Sequence, residues 1–108
     1  MKGLPGNMGQ ILKQAQQMQE RMAVVEEELA ALTVEGTSGG GMVAVTASGK
    51  QEILKVRINP EVVDKADVEM LEDLVLAAVN DARTKAIELA SKKMGAVTGG
   101  MGGLPGLF

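Results

Sequence analysis

The stretch EGTSGGGMVAVTASGKQEILKVRI, residues 35–58, is the most informative part of the chain, because its glycines belong either to a phosphate-binding loop or to a connection between strands. A Walker-type loop follows G-x-x-x-x-G-K and then Ser or Thr, so that backbone N–H groups, the lysine and the hydroxyl hold phosphates and magnesium. Gly36 and Gly41 have this separation, but Met42 and Val43 come next and supply neither charge nor hydroxyl. A dinucleotide-binding loop opens a helix, whereas this run leads into strand-like sequence. We therefore expect the glycines to bind no nucleotide.

Two half-buried strands are predicted after the glycine run. Apolar residues alternate with small or polar ones over residues 43–48 and again over residues 54–58, which is the period of a strand with one covered face. Residues 48–51, with the sequence SGKQ, have turn chemistry and are expected to join these strands. A shorter run at residues 33–35 predicts a third strand. The glycines then connect strands in an antiparallel meander.

A long helix is predicted before the strands. From Met8 to Leu32, apolar residues recur in steps of three and four, which forms an unbroken heptad seam along a rod of roughly 35 Å. Asn7 and Gln10 are typical of a capping box at its start. So long a seam cannot be buried on a small sheet alone. Part of it must pack on another helix, in this chain or in a partner.

The strands are followed by a short helix and a second long one. Asn59 and Pro60 suggest a cap and a first helical position. Asp67 is predicted to cap the long helix, which continues to about Lys93 and stops at Gly95. The sequence thus predicts an α+β fold in a single domain over residues 1–108, with flexible glycine-rich ends at 1–7 and 95–108. The tetrapeptide GLPG occurs in both ends.

The composition excludes several classes of chemistry. The chain has no cysteine and no histidine, which removes disulfides, thiol nucleophiles, zinc–thiolate sites and the commonest general base. No apolar run approaches the roughly 20 residues of a membrane span, and no secretory signal is present. We therefore expect a cytoplasmic protein without metal or cofactor. The 14 carboxylates leave a carboxylate-only hydrolase open, although nothing in the sequence pairs two of them.

The net charge of −3 argues against a nucleic-acid binder, but the distribution of charge is uneven. If the two long helices pack antiparallel, acidic residues gather where the helices meet the sheet and basic residues gather at the far ends. The first helix has bases early and acids late, against its macrodipole, and contact with a polyanion is one explanation. The basic residues in these two helical ends are Lys13, Arg21, Arg83, Lys85, Lys92 and Lys93.

The combination of several stretches resembles the YbaB/EbfC family of small bacterial nucleoid-associated DNA-binding proteins. The matching stretches are ILKQAQQMQERM (11–22), VEGTSGGGMVAVTASGKQEILKVRINPEVVD (34–64), MLEDLVLAAVNDARTKA (70–86) and the glycine-rich tail. The resemblance implies a three-stranded antiparallel sheet with protruding helices, and a homodimer whose helical arms form a tweezer-like shape. It also implies binding of double-stranded DNA without catalysis, in nucleoid organisation or gene regulation.

The family's DNA contacts are usually on the helical arms. The resemblance therefore implies contacts by Lys13 and Arg21 in the first helix and by Arg83 and Lys85 in the last one. Lys92 and Lys93 are candidates from the location of charge alone. We expect modest sequence preference led by phosphate contacts, without aromatic stacking on single strands, since Phe108 is the only aromatic residue.

One alternative function remains from the sequence. The heptad helix could be the docking surface of a protein-interaction adaptor, with a salt-insensitive protein complex and no retention of DNA. Lys55 and Arg57 form a further positive pair, but charges on an exposed strand more often protect an edge.

Overall fold

The computed structural model describes residues 6–99 of the 108-residue chain. The molecule is elongated, with extents of 77 × 25 × 19 Å. It contains two long helices and one sheet, which confirms the predicted α+β fold. The elements are α1 (Gly6–Ala31), β1 (Thr33–Ser38), a 3-10 turn (Gly39–Gly41), β2 (Val43–Ser48), β3 (Ile53–Ile58), a second 3-10 turn (Pro60–Val62) and α2 (Val68–Gly99).

The sheet is an antiparallel meander in the order β1-β2-β3, as predicted. The glycines connect β1 to β2, and the 3-10 turn that they form has positive φ angles throughout. The hairpin between β2 and β3 is closed by the Ser48 hydroxyl, which accepts hydrogen bonds from the N–H groups of Lys50 and Glu52, both at 3.2 Å. Gln51 in this hairpin has a positive φ of 68°, which is uncommon for a residue other than glycine.

A β-bulge changes the face assignments in β3. Thr46 lies opposite Lys55, whereas the next residue, Ala47, lies opposite Ile53, so Leu54 is the extra residue of the bulge. The bulge leaves the predicted alternation of Leu54, Val56 and Ile58 unchanged and adds Ile53 to the helix-facing side of the strand. Because Ala47 faces the core, Ile53 lies on the same side of the sheet as the core residues.

The core lies between β2 and α2. It consists of Val43, Val45 and Ala47 on the strand and Ala78 and Ala82 on the helix, all fully buried. The small alanine side chains let the helix backbone approach the sheet closely. The closest approach is to Gly36 of β1, where an added Cβ would lie 2.5 Å from the carbonyl oxygen of Ala78. Glycine is required at this position because no side chain fits between strand and helix.

The last third of α2 extends beyond the sheet and packs antiparallel on α1. Val25 and Leu29 of α1 and Val97 of α2 are buried together, with partly buried Met18, Leu89, Ala90 and Met94 around them. The inner half of the heptad seam thus packs on α2 of the same chain. The start of this two-helix arm is tied to the sheet by the Gly49 N–H, which donates to the carbonyl oxygens of Leu29 at 2.9 Å and Leu32 at 3.0 Å.

The helix ends differ in part from the sequence prediction. Asp67 caps α2 as expected, since its carboxylate accepts from the Met70 N–H at 3.1 Å, and Asn59 caps the short 3-10 turn through the Glu61 N–H at 2.9 Å. The prediction that Asn7 caps α1 is wrong, because the helix already includes Gly6.

The predicted stop of α2 at Gly95 is also wrong. The helix continues to Gly99, because Val97 packs on Val25 and that burial outweighs the low helix propensity of glycine. The flexible ends predicted from the sequence lie outside the described residues, apart from residues 6–7 and 95–99, which are helical. Both copies of GLPG lie outside them too, except for Gly6. Over residues 6–99, neither long helix combines the length and hydrophobicity that crossing a membrane needs.

Candidate nucleic-acid interface

The arm, defined here as residues 6–31 of α1 with 89–99 of α2, is the part of the molecule with the least negative charge. It contains four basic and four acidic residues, whereas residues 32–88 contain six basic and ten acidic ones. Within the arm, the acids Glu26, Glu27 and Glu28 lie close to the sheet. The outer part of α1, residues 6–24, has two bases, one acid and five glutamines. A polyanion therefore meets the least repulsion along the outer arm.

The outer part of α1 projects beyond α2. Lys93 pairs with Glu28 and Val97 packs near Val25, so the last residue of α2, Gly99, lies beside roughly residue 22 of α1. About fifteen residues of α1, or roughly 23 Å of helix, extend past Gly99, the last described residue of α2. Lys13 is on this extension and is exposed. No hydrogen bond or ion pair within residues 6–99 engages its ammonium group.

Arg21 lies where the two helices of the arm meet. It lines an open groove of about 690 Å³ together with Glu20, Gln17, Lys93 and Val97. The guanidinium is exposed and is not held by a carboxylate in the described part of the chain. A guanidinium in this position can present its five N–H donors to a phosphate.

Lys92 and Lys93 point in different directions from the α2 side of the arm. Lys92 is exposed and lines a shallow cavity near Glu88 and Val34. Lys93 is half-buried, and its ammonium group lies 2.8 Å from a carboxylate oxygen of Glu28. Lys93 therefore connects the two helices, and it can contact a phosphate only in competition with Glu28.

Arg83 and Lys85 do not lie at the far end of the arm, which corrects the sequence prediction. Ala82 contacts Gly36, so this turn of α2 lies on the sheet. Arg83 is exposed on that turn. The Lys85 ammonium group donates to the carbonyl oxygen of Glu35 in β1 at 2.9 Å. The sequence alone could not place these two residues, because their location depends on the position at which α2 leaves the sheet.

Lys85 acts together with Asp81, one helical turn earlier, as a clamp on the edge strand β1. The two side chains form an ion pair at 3.2 Å, and the Asp81 carboxylate accepts from the Thr37 N–H at 2.9 Å. The hydrogen bond from the Thr37 N–H, followed by the one from Lys85, holds the pKa of Asp81 below its ordinary value. The clamp thus satisfies one outward N–H and one outward C=O of β1, which protects this edge from pairing with other strands. The i,i+4 spacing of the two charges was the only sequence signal for it.

The fold and the arm define a class of protein: a small α+β module that projects a two-helix arm on which Lys13, Arg21 and Lys92 have no carboxylate partner within residues 6–99. Over residues 6–99, no group of three or more acidic side chains is placed to hold a metal ion.

Comparison with known proteins identifies the family. The model of the YbaB/EbfC DNA-binding family matches residues 4–101, and the chain belongs to this family. The nucleoid-associated protein TTE0040 of Caldanaerobacter subterraneus is 56% identical over 98% of this chain and 96% of its own. A nucleoid-associated protein of Acetivibrio thermocellus is 53% identical over 98% of this chain and 94% of its own.

A solved structure has the same fold. The crystal structure of the uncharacterized protein HP0035 of Helicobacter pylori matches with a TM-score of 0.62, over 72% of this chain and 90% of that chain. Its sequence identity is 24%, so the likeness concerns the fold alone.

Proposed function

We propose that this chain is a non-enzymatic, dimeric DNA-binding protein of the bacterial nucleoid, in the cytoplasm, with a role in nucleoid organisation or gene regulation. The observation that carries the proposal is membership of a family defined by DNA binding, with close relatives named as nucleoid-associated proteins. The exposed, unpaired basic residues of the arm are consistent with it.

Three residues lead the proposed contact with duplex DNA: Lys13, Arg21 and Lys92. Each is exposed, and none has a carboxylate partner within residues 6–99. Lys93 joins them when a phosphate displaces Glu28. Arg83 can contribute only if the DNA reaches the body of the protein, and Lys85 has a structural task in the clamp on β1. Phosphate contacts of this kind position the protein without reading bases, so sequence preference is modest.

The test is fluorescence anisotropy on a duplex of about 30 base pairs across a series of salt concentrations. Counterion release gives a log–log slope of about −0.9 for each neutralised phosphate. Two arms of a dimer acting together predict a slope near −4 or steeper. Absence of binding even at low salt would contradict the proposal.

Charge reversals locate the contact. Lys13→Glu, Arg21→Glu and Lys92→Glu are each expected to weaken binding and to make the slope shallower. The matched control is Lys65→Glu, which changes the net charge equally on an exposed loop before α2, away from the arm. Equal losses in the arm variants and in the control would mean that only net charge matters and that the arm is not the site.

A second candidate, the protein-interaction adaptor, is favoured by one observation. Within residues 6–99, no element packs on the outer end of the heptad seam, and Ile11 is about half exposed. A pull-down with and without nuclease separates the two functions. Partners that remain bound after DNA is destroyed, together with a flat salt dependence, would favour the adaptor.

A further inference from the structure

A stripe of polar side chains runs along the outer part of α1. Three of the five glutamines in residues 6–24 lie on it, together with the two basic residues of the same stretch. At 3.6 residues per turn, these positions fall within about 100° of the helix circumference. We call this surface the glutamine stripe, and its members are Gln10, Lys13, Gln14, Gln17 and Arg21.

The glutamine stripe is accessible to a partner molecule. All five of its side chains are exposed. Its three glutamine amides make no hydrogen bond to any other group in the described part of the chain. At the inner end of the stripe, Gln17 and Arg21 line the open groove of about 690 Å³ between α1 and α2, so a large ligand can approach from that side.

The composition of the stripe differs from that of a helix surface that contacts only water. Such surfaces are commonly stabilised by oppositely charged side chains spaced i, i+4. Here the neutral Gln17 lies at this spacing from both Lys13 and Arg21. Glu20 is the only acidic residue in residues 6–25, and it lies at the border of the stripe. The stripe therefore offers amides and cations without a carboxylate among them, which suits contact with a polyanion.

A glutamine amide can also read a base, because it carries a donor and an acceptor side by side. It forms a bidentate pair with N6 and N7 of adenine, which are presented in the major groove. That groove is about 12 Å wide and admits an α-helix, whose diameter with side chains is about 10–12 Å. We propose that the outer part of α1 lies in the major groove of duplex DNA, where Gln10, Gln14 and Gln17 contact base edges.

The basic residues of the stripe provide the orientation that this readout needs. Phosphate contacts position a protein on DNA, and base contacts give sequence preference. Because Lys13 and Arg21 share a face of α1 with the glutamines, their phosphate contacts turn the glutamines toward the groove. Within residues 6–99, α2 ends beside roughly residue 22 of α1, so none of its described residues lies next to Gln10 or Gln14.

The readout is short. From residue 10 to residue 17 the helix rises roughly 10 Å, which corresponds to about three base pairs at 3.4 Å each. Three base pairs give a modest sequence preference, as proposed above. The inference rests on the proposed DNA binding and names the residues that supply its sequence preference, whereas the cations supply its affinity.

Two pairs of glutamines in the same helix provide a matched test. Gln14→Ala with Gln17→Ala removes two amides from the stripe. Gln16→Ala with Gln19→Ala removes two amides from the other side of the helix, and these two side chains are exposed as well. Both double variants keep the net charge, and alanine is the best helix former, so α1 should remain helical in each.

The experiment begins with selection of duplexes from a randomised library by the full chain. The selected sequence is expected to contain adenine. Fluorescence anisotropy then gives the ratio of affinities for the selected duplex and a scrambled one. We expect Gln14→Ala with Gln17→Ala to lower this ratio at least about tenfold, because a good bidentate pair contributes roughly that much discrimination. The control pair should keep the wild-type ratio. The salt slope should be the same for all three proteins, since a neutral side chain releases no counterions.

Replacement of adenine by 7-deazaadenine gives an independent measurement. It removes the N7 acceptor and leaves Watson–Crick pairing intact, so it should weaken binding by wild type and change little for Gln14→Ala with Gln17→Ala. Equal losses of the affinity ratio in both double variants, or an unchanged ratio in the stripe variant, would overturn the inference. A chain that binds duplexes without preference contradicts only this inference, whereas one that binds no duplex contradicts the proposed function as well.

Discussion

Gly36→Ala tests the closest contact in the fold. The added Cβ would lie 2.5 Å from the Ala78 carbonyl oxygen and 2.6 Å from the Ala82 Cα, and closer still to the Ala82 nitrogen. Ordinary contacts are 3.4–4 Å, so α2 has to retreat by about 1 Å. The opposing atoms are backbone and cannot rotate away. The change therefore loosens the contact between the helix and both strands beneath it.

The magnitude follows from this retreat. Overpacking of a well-packed core costs about 1–3 kcal/mol, and a backbone clash belongs at the upper end of that range. A gap of about 1 Å also removes up to half of the dispersion energy of the separated atoms. The reduced entropy of the unfolded chain returns about 0.4–1 kcal/mol. We expect a net destabilisation of about 2–3 kcal/mol, which corresponds to a fall in Tm of roughly 10–20 °C.

The assay is thermal unfolding by circular dichroism at one fixed protein concentration, because association makes Tm concentration-dependent. Gly9→Ala is the matched control. Nothing lies within 4 Å of a Cβ at Gly9, which is inside α1, so this variant should gain about 0.5–1 kcal/mol. A Tm for Gly36→Ala within about 2 °C of wild type would refute the argument, since such a shift corresponds to less than about 0.5 kcal/mol.

Three further outcomes are expected. Glu28→Gln frees Lys93 and removes a negative charge from the arm, so duplex DNA should bind more tightly with a slope steeper by up to about 0.9 for each arm in contact; unchanged binding would exclude Lys93 from the contact. Because the pKa of Asp81 is held below 3.8, its stabilisation is complete above that pH and is lost as pH falls through the lower folded value. In acid titrations followed by urea unfolding, the stability difference between wild type and Asp81→Asn should therefore shrink below pH 3.8, and a constant difference would contradict the clamp. Gly95→Ala should raise Tm, since α2 continues through this position with open space around it, and a lower Tm would mean that the glycine has a separate role.

Local patterns predicted the elements and their order. The heptad seam of α1, the SGKQ turn and the cap at Asp67 each contain enough information in a few neighbouring residues to be recognised. The stop at Gly95 was mispredicted because a tertiary contact, Val97 on Val25, decides it. The bulge at Leu54 was not predicted from the sequence, because the alternation of Leu54, Val56 and Ile58 continues unchanged beside it.

The candidate site was less predictable than the fold. Lys85 and Lys92 are both exposed lysines in the same helix, and the sequence gives no sign that one holds β1 while the other is unpaired. Their difference depends on where α2 crosses the sheet, which is set by the contact of Ala82 with Gly36. The exposure of β3 was also hidden, because its pattern resembles that of a covered strand. Which strands a helix covers depends on how the helix packs on the sheet, and the residue pattern within one strand does not contain that information.

The clamp of Asp81 and Lys85 also limits how large an assembly this chain can build. A sheet with two available sides can recruit copies at both, and growth by head-to-tail addition then continues into filaments. Here the outward N–H of Thr37 and the outward C=O of Glu35 are already occupied, so two of the edge groups that a further strand would need are taken. A further copy added along the β1 edge would first have to break these two contacts, so growth of the sheet in that direction is disfavoured.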